Sequence, residues 1–264
     1  MSGVAMEESW VETDAGRVFA TQWRPALARD AAPIVLLHDS LGCVALWRDF
    51  PERLARVTGR RVVAYDRLGF GRSDANPRTL DANFVHDEAR VGFQRLREVL
   101  DIDAFVAFGH SVGGGMAIAC AAAWPEACRA LITESAQTFV EDRTLQGIVD
   151  ARQSFAQPGQ VDRLRRYHGD KAEWVLHAWI DTWLAPEFAG WNLDDALRAV
   201  RCPALAMHGG LDEFGSSRHP QRIADLTGGR ATVELMPDCG HVPHRDEPGR
   251  VLDLVRTWLS ETGA

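Results

Sequence analysis

The segment "AFVAFGHSVGGGMA" (residues 104–117) decides the fold of this chain. It opens with apolar residues typical of a buried strand and ends with residues typical of a buried helix. Between them lies a G-x-S-x-G turn (109–113), in which the positions two before and two after the serine must be small; Gly109 and Gly113 meet that need. The segment therefore predicts that Ser111 is a nucleophile at the amino end of a helix, where partial positive charge stabilises a developing oxyanion.

Strand-like and helix-like segments alternate on both sides of this turn. Short apolar runs predict strands, and segments with helical spacing of apolar residues predict helices. The predicted strands are 17–23, 33–37, 61–65, 104–108, 129–133, 203–209 and 231–236, and the predicted helices are 46–57, 85–100, 112–124, 218–226 and 246–260. This alternation predicts an α/β fold with a parallel sheet between layers of helices.

The alternation breaks between residues 136 and 200, where the sequence becomes helix-like, charged and rich in tryptophan. A helical insertion inside an otherwise regular α/β sheet is the simplest account. We therefore expect residues 1–135 and 201–264 to form the α/β core and residues 136–200 to form a helical insertion that caps it.

The substrate pocket is expected between the core and the cap. Aromatic side chains supply large apolar area, so Trp179 and Trp183 predict a hydrophobic pocket. The alternative is that these tryptophans only pack the cap onto the sheet. Ser135, Ala136 and Phe139, which follow the strand at 129–133, are expected to line the pocket because of their position alone.

The composition limits the partners of the chain. Its 264 residues carry a formal net charge of −8, which gives no electrostatic reason to bind nucleic acid or an anionic membrane. The five cysteines form no CxxC pair, so neither a zinc site nor a disulfide framework is indicated.

The longest apolar stretch, 116–124, is shorter than the roughly 20 residues of a membrane span. The first ten residues lack the features of a secretory signal, and we expect a cytoplasmic protein.

Five motifs stand in the order and spacing of the α/β-hydrolase superfamily and cover nearly the whole chain. They are "LLHDSLG" (36–42), "VVAYDRLGFGRSD" (62–74), "FGHSVGG" (108–114), "MHGGLDEF" (207–214) and "CGHVPHRDEP" (239–248). The chain resembles serine hydrolases of this superfamily, which include carboxylesterases, perhydrolases and carbon–carbon bond hydrolases. The resemblance implies an eight-stranded, mostly parallel sheet flanked by helices, with a helical cap inserted after the sixth strand.

The resemblance also implies a catalytic triad in the chain order serine, aspartate, histidine. Asp212 occupies the position of the acid, with Glu213 and Glu134 as alternatives. His241 occupies the position of the base. His244 is its competitor, although a solvated or helix-capping role is expected for a histidine beside the acidic start of the last helix.

Two backbone N–H groups are expected to form the oxyanion hole, those of Val112 and Ser40. Asp39 departs from the family pattern, which usually has glycine at this position. A carboxylate beside an oxyanion would be unfavourable, so we expect Asp39 to point away, toward a backbone N–H or Arg72. The unusual position could also be accommodated by a left-handed backbone at Asp39.

These features predict a serine hydrolase that cleaves a carboxylic ester or a related small hydrophobic acyl substrate through an acyl-enzyme, without a metal or an organic cofactor. Carbon–carbon bond hydrolases, thioesterases, lactonases and cofactor-free perhydrolases share the same machinery and remain alternatives. A different class of function is a ligand sensor with low turnover. The sequence does not indicate the oligomeric state.

Overall fold

In the computed structural model, which describes residues 3–264, eight strands form one sheet. The strands are β1 (Val4–Thr13), β2 (Gly16–Pro25), β3 (Ile34–Leu37), β4 (Val62–Tyr65), β5 (Phe105–His110), β6 (Cys128–Glu134), β7 (Ala204–Gly209) and β8 (Ala231–Met236). Their order is β1-β2-β4-β3-β5-β6-β7-β8, with β1–β2 and β2–β4 antiparallel and the other pairs parallel. The predicted mostly parallel α/β sheet is therefore confirmed.

The helices lie on both faces of this sheet. They are α1 (Phe50–Thr58), α2 (Phe84–Arg90), α3 (Gly92–Val99), α4 (Val112–Ala123), α5 (Asp142–Phe155), α6 (Gln160–His168), α7 (Ala172–Leu184), α8 (Asp194–Ala199), α9 (Arg218–Leu226), α10 (Pro243–Asp246) and α11 (Pro248–Thr262). Among the described residues, none of the helices has the length and apolar character needed to cross a membrane.

Four elements differ from the sequence prediction. The helix predicted over 46–57 begins at Phe50, and the helix predicted over 246–260 begins at Pro248, after the separate helix α10. Strand β1 was not predicted, because most of its side chains are exposed at the edge of the sheet and leave little apolar alternation to detect. The single helix predicted over 85–100 is two helices that meet at Val91 and Gly92. A β-branched residue followed by glycine is a weak pair inside a helix, and the backbone changes direction there.

Helices α5 to α8 all lie between β6 and β7, within residues 136–200, which we call the insertion. The insertion does not pack as a separate body. Trp183, Trp191 and Leu197 belong to the same buried hydrophobic cluster as Met116 and Ile118 of helix α4. Part of the tryptophan content of the insertion thus serves to pack it against the core.

The parallel strands determine where the predicted site residues lie. Ser111 follows β5, Asp212 follows β7, His241 follows β8 and Ser40 follows β3. Because the carboxyl ends of parallel strands meet at one edge of a sheet, these residues are brought to the same edge from distant parts of the sequence.

Candidate active site

The turn between β5 and α4 holds Ser111 in a strained conformation, with φ 57° and ψ −126°. The two glycines permit the close approach that this turn requires. A Cβ atom on Gly109 would lie 1.9 Å from the carbonyl oxygen of Gly113, and one on Gly113 would lie 2.2 Å from the carbonyl oxygen of Leu37. Strain of this kind in a non-glycine residue is concentrated at functional sites.

Asp212 and His241 form a buried pair. The distance between Asp212 Oδ1 and His241 Nδ1 is 2.8 Å, and the same oxygen accepts the backbone N–H groups of Phe214 and Gly215. Burial would raise the pKa of Asp212, but the hydrogen bond and charge of His241 outweigh it and hold that pKa below its ordinary value. Burial would lower the pKa of His241, but Asp212 outweighs it and raises that pKa. The pair is therefore suited to hold a proton on the imidazole.

Ser111 and His241 line one cavity of about 260 Å³. The Ser111 hydroxyl donates its hydrogen bond to Gln137 Oε1, at 3.2 Å. The apolar wall of the cavity comes largely from the insertion and includes Ile148, Ala151, Phe155, Trp179 and Trp183. The structure thus brings the predicted nucleophile and base to one apolar pocket.

The two predicted oxyanion donors lie beside this cavity. Ser40 lines it, and Val112 is the first residue of α4, directly after Ser111. Within residues 3–264, neither backbone N–H donates a hydrogen bond to another backbone group. Both groups are therefore available to a ligand atom in the cavity.

Within residues 3–264, the Asp39 carboxylate contacts neither Arg72, which pairs with Glu8 instead, nor a backbone N–H, so that expectation was wrong. The Asp39 carboxylate points to the side chain of His110, with 3.6 Å between Oδ2 and Nδ1. Asp39 is also not among the residues with positive φ, so no left-handed backbone is needed at this position. At this position, where the family usually has glycine, the Asp39 side chain is turned toward His110, the residue before Ser111.

His110 connects the loops around the site. Burial lowers the pKa of His110 to about 4, so its ring is neutral near pH 7. Its Nε2–H donates to the carbonyl oxygen of His241, at 2.8 Å. On the other side, the carbonyl oxygen of Asp39 accepts hydrogen bonds from His38 and Arg67. A chain of contacts therefore runs from the loop after β3 to the loop that carries His241.

Glu134 and His244, the alternatives to Asp212 and His241, form a hydrogen-bonded pair with each other. Both oxygens of Glu134 are bonded to His244, one to its backbone N–H at 2.6 Å and one to Nδ1 at 2.5 Å. His244 is buried, so the solvated role expected for it was wrong. The ligand atoms of His110, Glu134 and His244 lie within 4.8 Å of one another and could reach a cation, but His244 already occupies both Glu134 oxygens. The pair anchors the start of α10 to β6.

The acid loop is fastened to the insertion by a second group, which we call the clamp: Glu141, Ser216 and His219. Glu141, directly before α5, accepts hydrogen bonds from the backbone N–H and hydroxyl of Ser216 at 2.7 and 2.9 Å. His219 Nε2 lies 3.1 Å from the same carboxylate. Burial opposes ionisation of Glu141, but the bonds to His219 and Ser216 lower its pKa to about 2.

Only some of the residues predicted to line the substrate pocket lie at the cavity. Trp179 and Trp183 line the cavity, but Phe139 does not; it packs on the ring of His219, with 4.5 Å between ring centroids. The residue that reaches the cavity from the segment after β6 is Gln137, which sequence reasoning missed. Gln137 lies between Ala136 and Thr138 in a segment that also contains Ser135, so no signal in the sequence distinguished it from its neighbours. Glu213, the alternative acid, lies exposed at the same cavity.

A family model and two known proteins match most of this chain. The model of the alpha/beta hydrolase family matches residues 34–254. The 2-hydroxymuconate semialdehyde hydrolase of Pseudomonas sp. (strain CF600) is 27% identical over 256 residues, which cover 88% of each chain. A proline iminopeptidase of Lactobacillus delbrueckii subsp. bulgaricus is 24% identical over 273 residues, covering 88% of this chain and 91% of that one.

The solved structures that resemble this one show the same fold. A membrane phospholipase A described as a bacterial virulence factor superposes with a TM-score of 0.77 at 19% identity, over 97% of this chain and 86% of that chain. A serine hydrolase involved in carbazole degradation superposes with a TM-score of 0.70 at 18% identity, over 97% and 99%. At such low identity, the similarity concerns the fold alone.

Proposed function

The chain belongs to the alpha/beta hydrolase family, and we propose that within it this protein is a serine hydrolase of a carboxylic ester or a related small acyl compound. The observation that supports the proposal is the geometry around one cavity. A strained Ser111 and a His241 bonded to Asp212 both open into it. The apolar wall of the cavity suits a small hydrophobic acyl group.

In the proposed mechanism, the Ser111 hydroxyl turns from Gln137 to His241 and gives its proton to Nε2. Asp212 holds Nδ1–H and stabilises the imidazolium. Serine Oγ attacks the carbonyl carbon, and the N–H groups of Ser40 and Val112 donate to the oxyanion, each worth about 2.7–4 kcal/mol. The imidazolium protonates the leaving alcohol, and water then resolves the acyl-enzyme through the same base.

We further propose that residues 136–200 act as a cap domain. Trp179, Trp183 and Ile148 from this segment stand over the cavity that Ser111 and His241 share. A cap in this place would exclude water from the acyl group and set the size of the substrate. Every step of the proposed chemistry is carried by protein side chains and backbone groups.

A second candidate is hydrolysis of a carbon–carbon bond next to a carbonyl group. Similarity to 2-hydroxymuconate semialdehyde hydrolase over 88% of both chains favours it. The same serine, base and oxyanion donors would serve, with a carbon leaving group in place of an alcohol. The two candidate functions are therefore distinguished by which class of substrate the protein hydrolyses.

The test combines active-site labelling with a substrate panel. A fluorophosphonate probe is expected to label the wild type and not Ser111→Ala, whereas Ser260→Ala, on the exposed face of α11, should be labelled normally. Turnover of p-nitrophenyl esters should fall by on the order of 10⁴- to 10⁶-fold in Ser111→Ala. The panel also contains thioesters, lactones and a dienoic C–C hydrolase substrate.

Each outcome of this test supports or contradicts one of the proposed functions. Labelling that survives Ser111→Ala would show that Ser111 is not the nucleophile. Turnover confined to the C–C substrate would favour the second candidate over ester hydrolysis. Labelling without turnover of any panel member would favour a ligand sensor that retains a reactive serine.

A further inference from the structure

Gln137 is a buried polar residue that the proposed mechanism uses only as the resting partner of the nucleophile. Its side chain is 4% exposed and lines the cavity. A carboxamide has an oxygen that accepts and a nitrogen that donates two hydrogen bonds. Because the Ser111 hydroxyl needs an acceptor and finds it in Oε1, the nitrogen is the end of the amide that remains for the cavity.

The backbone fixes Gln137 at this place. Ser135, two residues earlier, has φ 48°, and its N–H donates to the carbonyl oxygen of Met207. Thr138, one residue later, donates its N–H to His219 Nδ1 at 3.1 Å. Gln137 is thus held between two anchored neighbours. Ser111 and Ser135 follow adjacent strands, and both carry the positive φ that marks functional strain in non-glycine residues.

Most other polar side chains of the cavity already have partners within the protein. The Thr144 hydroxyl donates to the carbonyl oxygen of Phe214 at 2.6 Å, and His241 is bonded to Asp212. Asp39 and Glu213 are carboxylates and donate nothing when ionised. Among the described residues, the side-chain donors left for a ligand are the amide nitrogen of Gln137, the hydroxyl of Ser40 and the indole N–H groups of Trp179 and Trp183. Of these side chains, Gln137 is the one hydrogen-bonded to the Ser111 hydroxyl.

We propose that Gln137 is a specificity-determining residue, whose amide N–H donates to an oxygen on the acyl chain of the substrate. Once the acyl carbon is bonded to Ser111 Oγ, the atoms one or two bonds beyond it lie beside the Gln137 amide, which contacts Oγ in the resting state. The substrate class is therefore acyl groups that carry an ether, hydroxyl or carbonyl oxygen close to the scissile carbonyl, bound in the cavity of about 260 Å³.

This inference rests on the proposed serine hydrolase function, and the test separates the two. The substrates are p-nitrophenyl methoxyacetate and p-nitrophenyl butyrate, which differ by an oxygen in place of a methylene group. The measured quantity is the ratio of their kcat/KM values. The greater intrinsic reactivity of the methoxy ester cancels when this ratio is compared between wild type and variants.

In Gln137→Met, which keeps the size of the side chain, the ratio of methoxyacetate to butyrate is expected to fall by roughly two- to tenfold, the effect of one neutral hydrogen bond. Gln137→Glu keeps an oxygen toward Ser111 but removes the donor, and the ratio should fall in the same way. This second variant serves if the first does not fold. Ser260→Ala, on the exposed face of α11, is the control and should leave the ratio unchanged. Ser40→Ala tests the other hydroxyl donor of the cavity.

An unchanged ratio in a folded Gln137→Met or Gln137→Glu enzyme that hydrolyses both esters would overturn the inference and leave the proposed function intact. A ratio that falls in Ser40→Ala alone would assign the role to Ser40 and overturn it as well. If the wild type hydrolyses neither ester and is not labelled by a fluorophosphonate, the proposed function itself fails.

Discussion

Gly109 and Gly113 are the residues on which the position of Ser111 depends most directly. Both lie where the strand, the turn and helix α4 approach too closely for a side chain. Their role is steric, because neither has a positive φ. Ser111, the proposed nucleophile, is therefore placed by the small size of these two neighbours.

Gly113→Ala is therefore expected to destabilise the protein and to impair catalysis together. The added methyl group would clash with the backbone of Leu37 and force α4 away from β3, at a cost of about 1–3 kcal/mol or more. Urea unfolding measures the free energy of unfolding, and ester turnover measures the site. Gly190→Ala is the control, because nothing lies within 4 Å of its added Cβ. Equal stability of the two variants would contradict the steric argument.

Asp39 should influence the pH dependence of the reaction. His241 must be neutral to accept the serine proton, so kcat/KM is expected to rise as pH increases through the pKa of His241. Burial lowers that pKa, and the hydrogen bond and charge of Asp212, followed by the charge of Asp39, outweigh burial and raise it. Asp39→Asn removes one negative charge that favours the imidazolium, so the acidic limb should move to lower pH.

The pH profile of kcat/KM for a neutral ester measures this shift. Asp253→Asn removes a charge on the exposed face of α11 and should leave the limb in place. A limb that moves to higher pH in Asp39→Asn, or does not move, would contradict an electrostatic role of Asp39 at the base.

At the scale of elements, the clamp is the connection that joins the insertion to the acid loop. It holds the start of α5 against Ser216, which precedes α9, and His219, in the first turn of α9. Asp212 lies in the same loop as Ser216, so the position of the acid depends on the attachment of the insertion.

The clamp should make the stability of the protein depend on acid pH. Glu141 has an ordinary pKa of 4.5, which the folded protein lowers to about 2. Its contribution is therefore fully present above about pH 4.5 and is lost as pH falls toward 2. Glu141→Gln should unfold at lower urea concentration than wild type at pH 7, and this difference should shrink below pH 4.5.

Urea unfolding at several pH values measures this difference. Glu126→Gln, an exposed glutamate after α4, is the control and should follow the wild type throughout. A stability difference for Glu141→Gln that is the same at pH 2 and pH 7 would rule out ionisation of Glu141 as its source.

Elements with strong periodicity could be predicted from sequence, and sites that depend on a single contact could not. Helix α11 lies within two residues of its predicted bounds, because the helical spacing of Val251, Val255 and Trp258 reflects their burial. The direction of Asp39 and the reach of Gln137 depend on partners distant in sequence, His110 and Ser111. Neither contact leaves a periodic trace, so the sequence could indicate Asp39 only as unusual and did not indicate Gln137.

At the scale of the whole molecule, the insertion and the α/β core share one hydrophobic cluster. Leu197 of α8 is fully buried in it, beside residues of α4. Parts of a protein that share a single hydrophobic core usually unfold in one cooperative transition. The cap proposed above would then be part of the same folding unit as the sheet.

Leu197→Ala is expected to lower the free energy of unfolding by about 2–5 kcal/mol, as for other buried leucines. Tryptophan fluorescence, to which the insertion contributes four of the nine tryptophans, and circular dichroism, which reports on the whole chain, should shift together. Leu27→Ala, whose side chain is 81% exposed, is the control and should have little effect. Two separate transitions, with only the fluorescence shifted, would show that the insertion folds by itself.

The packing of α8 on α4 also limits how this protein can be recombined with its relatives. Gly115 of α4 leaves just enough room for Leu193, since a Cβ atom there would lie 3.2 Å from its side chain. A chimera that received residues 136–200 from another hydrolase would keep an α4 surface shaped for side chains no longer present. Transfer of substrate preference between such enzymes would therefore require the outer face of α4 to be exchanged together with the insertion.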